Sequence, residues 1–221
     1  LMLLSAVLLL TSFLTLLPRK THLSPLSLHD ALPIFIEKFK AITGISERRY
    51  AQEKYSTSDI ASFAAQKAID YAKIDPETLD YIIVAHNYGD VKYGSDQSDT
   101  VPSLASRVKS NLQIKNPSCV AYDLIFGCPG WLEAMIQANA FIKAGIAKKC
   151  LVIGAETLSR VTDPHDRDSM IYSDGAGAPS IEHTNDTDGI VSHATATHAI
   201  EEANYIYFGN SNNLEDQNPK K

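Results

Sequence analysis

Cysteine is scarce in this chain: there are three in 221 residues, an odd count at irregular spacing that does not make a disulfide framework. No CxxC pair and no HExxH occurs, so neither common metal-ligand spacing is present, and no metal site is expected. Long Lys or Arg runs are missing as well, and the net charge is −6. That sets aside a nucleic-acid surface. No P-loop lysine or dinucleotide-binding spacing accompanies the small-residue run Asp174-Gly175-Ala176-Gly177-Ala178, which reads as a turn with close backbone approach. What remains is ordinary for a globular enzyme: 44% hydrophobic and 21% charged residues, enough chain for a sizeable core. The balance fits a reducing, cytoplasmic setting.

The first apolar run, Leu1 to Leu17, lacks a basic stretch before it and a small-residue cleavage site after it. It also falls short of the roughly 20 residues of a membrane span. Ser27-Leu28-His29-Asp30-Ala31-Leu32-Pro33-Ile34 resembles the translation of a sequencing-library adapter. Residues 1–34 are therefore expected to be a non-native apolar leader, 35–200 a single α/β domain, and 201–221 the start of a following segment.

From Phe35 onward strands and helices alternate. Ser56-Thr57-Ser58-Asp59 offers N-cap residues, and Ile60, Phe63, Ala64, Ala68 and Tyr71 recur at helical spacing, with Lys67 as the polar break. Asp75-Pro76-Glu77 turns the chain into a β-branched strand, Tyr81 to Ala85, ending at His86-Asn87. A polar loop from Gly89 to Thr100 leads to a helix from Val101-Pro102-Ser103 through Leu112. A buried strand runs from Cys119 to Ile125, a helix from Trp131 to about Ala144, and another buried strand from Lys149 to Gly154. After a polar loop, Ser169 to Tyr172, Ile190 to Thr197 and Tyr205 to Phe208 read as further strands; the polar stretch after Gly209 reads as loop. This alternation predicts an α/β fold with a largely parallel sheet. Ligands of such sheets sit beyond the carboxyl ends of the strands.

The stretch Tyr122 to Trp131 stands where a strand hands over to a helix. Proline suits a first helical position, which makes Cys128 the expected N-cap. The positive end of a helix dipole stabilises a thiolate there. On this local chemistry two readings of Cys128 stand level, a covalent nucleophile and a buried structural cysteine. Cys119 and Cys150, inside apolar strands, read as core. His86 reads as a strand-end histidine satisfied by its neighbours, and Glu47 with Arg48-Arg49 as a solvated or salt-bridged turn.

Three stretches in register carry a resemblance. Thr43-Gly44-Ile45-Ser46-Glu47-Arg48-Arg49, then Asp123, Cys128, Gly130 and Trp131, then Asp163-Pro164-His165-Asp166-Arg167 with Asp174 to Ala178, together resemble the N-terminal half of β-ketoacyl-acyl-carrier-protein synthase III, of the thiolase-like superfamily. The resemblance implies a thiolase-like fold and a decarboxylative Claisen condensation. Cys128 would accept an acyl group from acyl-coenzyme A as a thioester, and the carbanion of malonyl-acyl-carrier protein would attack it. Sulfur suits this role because the thiolate is nucleophilic and its thioester stays electrophilic. The Cys128 N–H would be one oxyanion donor. Substrate contacts are implied for Arg167 (coenzyme A, with an ion pair to Asp166 or Asp168 as the alternative), for Gly130 beside the nucleophile, and for Val101 (a small cap on the acyl pocket of a partner subunit, favouring longer or branched chains). No resident cofactor, no nucleic acid and no membrane is implied; the full-length protein is expected to be a homodimer in fatty-acid biosynthesis.

The departures are equally specific. The family's catalytic histidine and asparagine come from its C-terminal half, and none of His165, His183, His193 or His198 sits in a matching motif. The adenine-sandwiching tryptophan and arginine would fall near Lys38 and Ile42, which do not reproduce them. The chain is thus expected not to condense substrates alone. Two alternatives remain open: a hydroxymethylglutaryl-coenzyme A synthase-like or head-to-head (polyketide-type) condensing enzyme, with Asp96 or Asp99 as the upstream carboxylate, and an inactive folded fragment.

Overall fold

A computed structural model describes residues 2–3, 19–20, 32–185, 189–207, 209 and 211, with side chains from Lys38 onward except that of Arg167. Most of the expected leader (1–34) and most of 208–221 lie outside the described residues. Two short strands are described within that leader, β1 (Met2–Leu3) and β2 (Arg19–Lys20). Helix α1 (Leu32–Thr43) crosses the expected boundary at 34 and was not foreseen. It leads to β3 (Arg48–Arg49), which pairs with β2.

Helix α2 (Thr57–Ala72) starts where the cap residues stand. The Ser56 side chain accepts the Asp59 N–H, and Asp59 reaches back to the Ser56 N–H at 2.8 Å, a capping box built with aspartate. At the other end Lys73 adopts a left-handed conformation with φ 52°, which closes the last turn. The buried face differs from the expected stripe. Ile60, Ala61, Ala64, Ala65, Ala68 and Ile69 face the core, while Phe63 and Tyr71 are exposed. Phe63 instead packs edge-on against Tyr55, ring centroids 5.1 Å apart. Small alanines let the helix lie close on the sheet, which leaves the two large rings outside.

After a single turn of 3-10 helix (Pro76–Thr78), β4 runs Tyr81–Ala85, followed by β5 (Asp90–Val91), β6 (Ser98–Asp99), α3 (Leu104–Asn111), β7 (Val120–Leu124), α4 (Gly130–Lys143) and β8 (Lys149–Glu156). Strand β9 (Gly175–Gly177) and strand β10 (Ser180–His183) follow. The main sheet has the order β1-β10-β8-β4-β7, with β9 on β8. Both neighbours of β4 are parallel to it, so Ala85 faces Leu124 on one side and Gly154 on the other. Strand β10 and strand β9 run antiparallel to β8. The α/β fold with a largely parallel sheet stands.

Period-2 alternation in the central strands feeds two cores. Ile82, Val84, Leu151 and Ile153 pack with Ala61, Ala65, Leu104 and Val108 from α2 and α3. Ile83, Ala85, Cys150 and Val152 pack with Ala134, Ala138 and Ile142 from α4. Each fully buried Ile or Leu here contributes on the order of 2–3 kcal/mol. Cys119 and Cys150 are both buried, in line with their reading as core; burial pushes the Cys150 thiol up to about 12.

Several expectations fall. The polar loop after Gly89 contains the β5/β6 hairpin; its strands are two residues each, too short to show alternation. Ser169–Tyr172 is no strand: a 3-10 turn spans Arg167–Ile171, opened by Asp166, whose side chain accepts the Asp168 N–H. The small-residue run 174–178 holds strand β9 (Gly175–Gly177) rather than a turn, and a Cβ on Gly175 would meet nothing within 4 Å. Residues 191–207 form no strand and are exposed throughout, because β-favouring residues without a neighbouring strand leave their backbone groups to water; Phe208 lies outside the described residues. Strand β7 is only half-buried, since it ends the sheet order.

Candidate active site

Three strand ends meet one helix start. Strand β7 delivers Cys128, β4 delivers His86 and Asn87, and β8 delivers Glu156. Gly127 takes φ 71°, a left-handed conformation that favours glycine, and its carbonyl accepts the Gly130 N–H at 3.0 Å. This turn holds Cys128 out as an exposed, free thiol, which removes the buried structural reading. The N-cap is Pro129, not Cys128: the Pro129 carbonyl accepts the Glu133 N–H at 3.1 Å, the first bond of α4. The closed Gly127–Gly130 turn pushes the cysteine one residue outside the helix.

The first turn of α4 rests on the strands beneath. A Cβ on Gly130 would lie 3.4 Å from the Ala85 Cβ, and one on Gly154 would lie 3.2 Å from the Trp131 side chain. Gly130 is thus a packing position under the cysteine, and Gly154 is the hollow into which Trp131 settles.

His86 is buried and doubly bonded. Its Nδ1 accepts the Gly89 N–H at 3.0 Å, so its Nε2 carries the proton and donates to Asp123 Oδ2 at 3.0 Å. Asp123 also accepts the Leu104 and Ala105 N–H groups at 2.7 and 2.8 Å, at the start of α3. Burial alone would raise the Asp123 carboxyl. The hydrogen bonds from His86, Ala105 and Leu104 outweigh it and hold the carboxyl below the ordinary aspartate value. The satisfied-histidine reading holds: both ring nitrogens are engaged within the protein.

Val101 is 82% exposed, joined by a cis bond to Pro102. The Arg167 backbone starts the 3-10 turn; its side chain lies outside the described residues. Asp99 is engaged rather than free, accepting from Arg107 Nη2 at 2.7 Å and from the Val101 N–H at 3.2 Å. The Arg107 hydrogen bond is the main cause holding its carboxyl below the ordinary value. Asp96 is exposed in the hairpin. Glu47 and Arg49 form an ion pair at 3.7 Å, as the salt-bridged turn requires. A cleft of about 620 Å³ does form, but against the hairpin, lined by Ser56, Asp59, Asp90, Arg107 and Arg160 among others rather than by Cys128. Among the described residues no group of three or more His, Cys, Asp or Glu could hold a metal ion, and no helix is long and apolar enough to cross a membrane.

Sequence reasoning missed Glu156. Its Oε2 accepts the Asn87 N–H at 2.7 Å, while Oε1 is buried without a hydrogen-bond partner. Burial raises the carboxyl above the ordinary glutamate value, against the opposing effect of the Asn87 N–H, of nearby His86, and of hydrogen bonds from the Asn87 side chain and the Thr157 backbone. A carboxyl just past an unbroken apolar strand was the available signal.

The 3-oxoacyl-[acyl-carrier-protein] synthase III family matches residues 122–199. β-Ketoacyl-[acyl-carrier-protein] synthase III of Neisseria meningitidis serogroup B is 42% identical over 156 residues, which is 70% of this chain and 46% of the relative. β-Ketoacyl-[acyl-carrier-protein] synthase III 1 of Vibrio parahaemolyticus is 45% identical over 139 residues, 62% of this chain and 41% of the relative. The crystal structure of 3-oxoacyl-[acyl-carrier-protein] synthase III from Aquifex aeolicus superposes with a TM-score of 0.58 at 36% identity, over 67% of this chain and 46% of that one. The fold is therefore that of a thiolase-like α/β protein. Within that class the resemblance to β-ketoacyl-acyl-carrier-protein synthase III is borne out. The chain spans about half the length of the curated relatives it matches.

Proposed function

We propose that this chain supplies the nucleophile of a 3-oxoacyl-acyl-carrier-protein synthase III-type acyltransferase of fatty-acid biosynthesis. The observation that carries the reading is the free, exposed thiol of Cys128, held at the C-terminal end of β7 immediately before α4. The thiolate attacks the carbonyl of an acyl-coenzyme A. The tetrahedral oxyanion is held by the Cys128 backbone N–H, coenzyme A leaves as its thiol, and an acyl-Cys128 thioester remains. In the complete enzyme, malonyl-acyl-carrier protein loses carbon dioxide and its carbanion displaces the Cys128 sulfur. Acyl-coenzyme A is a substrate here, and no resident cofactor enters the reaction.

The test is intact-protein mass spectrometry after incubation with acyl-coenzyme A. One acyl group is expected, mapped to the Cys128 peptide, and C128S should abolish it. An unmodified wild-type protein would leave the inactive-fragment reading. The chain alone is expected not to form acetoacetyl-carrier protein from acetyl-coenzyme A and malonyl-carrier protein; turnover well above background would overturn that. Of the two carboxylates the alternative condensing reading would use, Asp99 is committed to Arg107 and the Val101 N–H, which leaves Asp96 as its candidate; replacing Asp96 by alanine in the complete enzyme tests it.

A further inference from the structure

Val101 stands between two fixed points. Before it, β6 ends at Asp99, paired with Asp90 of β5. After it, Ser103 caps α3, accepting the Ser106 N–H at 3.2 Å. Arg107, one turn into α3, reaches back across this junction with a different nitrogen for each contact. Its Nε donates to the Pro102 carbonyl at 3.0 Å, Nη2 to Asp99 Oδ1 at 2.7 Å and Nη1 to Asp90 Oδ2 at 2.8 Å. The same Asp99 oxygen accepts the Val101 N–H at 3.2 Å. One guanidinium thus holds the Val101–Pro102 pair at both ends, at its carbonyl directly and at its N–H through Asp99. Asp90, buried, carries the hold to α2 by accepting from the Ser58 N–H and hydroxyl. A rigid, forked donor suits three acceptors in different directions; the point charge of a lysine does not. What this arrangement fixes is an apolar side chain that its own chain leaves exposed.

The tip lies at the same end of the sheet as the cysteine turn. Leu104 and Ala105, the first residues of α3, donate their N–H groups to Asp123, near the carboxyl end of β7, the strand that leads to Cys128. Among the described residues β7 ends the sheet order, so a second copy seated on that edge would lie beside Val101. We propose that Arg107 is a positioning residue for acyl-chain selectivity: it holds Val101 as a rigid cap against the acyl group carried by Cys128 of a second copy. The inference rests on the acyl-Cys128 thioester of the proposed function, and it adds the group that makes the cap selective. A fixed cap discriminates by clash, since a chain too long for the space must displace it. A loose cap swings aside and admits long and short chains alike.

The test is a cycle of substitutions in the full chain, read by intact-protein mass spectrometry. Rates of Cys128 acylation by octanoyl- and acetyl-coenzyme A are compared for wild type, V101F, R107A and the double variant. The ratio of the two rates cancels any loss of folded protein or of thiol reactivity, which is all that a merely structural role would change. V101F enlarges the cap and should lower the octanoyl-to-acetyl ratio about tenfold, the scale of a methylene that does not fit. In the R107A background the same substitution should change the ratio by about twofold or less, because residues that act through one another are not additive. A V101F effect that R107A leaves undiminished, or no V101F effect in either background, overturns the proposal. Should R107A not fold, D99A removes the acceptor of the Val101 N–H at an exposed position and is held to the same criterion. A wild type that neither acyl-coenzyme A modifies overturns the proposed function together with this inference; acylation with an uncoupled ratio overturns this inference alone.

Discussion

Asp123 binds three elements at once: the end of β4 through His86, its own strand β7, and the first turn of α3 through the Leu104 and Ala105 N–H groups. Asp123→Ala removes the acceptor from a buried imidazole N–H and from helix N-terminal donors. The expected loss is about 2–4 kcal/mol in urea unfolding. The sign of the pH dependence follows from the depressed carboxyl. The folded state binds this proton less readily than the unfolded chain does, so the stabilisation is fully present above the unfolded value of about 3.9. It is lost as pH falls through the lower folded value. An acid-unfolding curve of Asp123→Asn should therefore lack part of the wild-type slope at low pH. Glu156 carries the opposite sign. Its contribution is full below about 4.3 and disappears as pH rises through its raised folded value. Both residues were visible in the sequence as carboxyls near strand ends, but only Asp123 stood inside a recognisable motif.

At the level of elements, the hairpin of β5 and β6 is the piece most dependent on side chains. Gly89 has φ 72°, and a Cβ there would fall 2.7 Å from the Asp99 carbonyl and from the Thr100 methyl. Gly89→Ala combines a disfavoured backbone conformation with a backbone clash, and about 1–3 kcal/mol of destabilisation is expected by thermal unfolding. Arg107 of α3 ties the hairpin down, donating to Asp90 at 2.8 Å, to Asp99 at 2.7 Å and to the Pro102 carbonyl at 3.0 Å. Asp90 is itself buried, accepting from the Ser58 N–H and hydroxyl at 2.7 and 2.6 Å. One guanidinium thus links α2, the hairpin and α3. Arg107→Ala should speed hydrogen exchange at hairpin amides while amides of β4 and β8 stay protected; equal exchange in both would show that the hairpin stands without it. Helices α2 and α4 were readable because caps and 3.6-residue periodicity are local. The hairpin was not, because what holds it comes from α2 and α3.

On the scale of the whole molecule, β7 ends the sheet among the described residues, with Val120 at its start 46% exposed and Ile125 and Phe126 just after it 66% and 38% exposed. Apolar residues beside an unpaired strand edge favour association. The homodimer expected from the sequence for the full-length protein would cover this edge with a second copy. Sedimentation velocity should show a concentration-dependent dimer that Phe126→Lys weakens, and a wild-type monomer at all concentrations would count against it. The sequence by itself determined that the chain is α/β, where β4, β7 and β8 run, and that Cys128 stands at a strand-to-helix junction. Alternation, capping and turn residues act within a few positions and can be read locally. Only the tertiary structure decided that the Gly127–Gly130 turn moves Cys128 outside the helix and exposes it, and that 191–207 does not pair. It alone brought His86 to Asp123 and Glu156 to Asn87, contacts between residues 37 and 69 positions apart. Such pairings depend on strand register across the sheet, which no short stretch of sequence records.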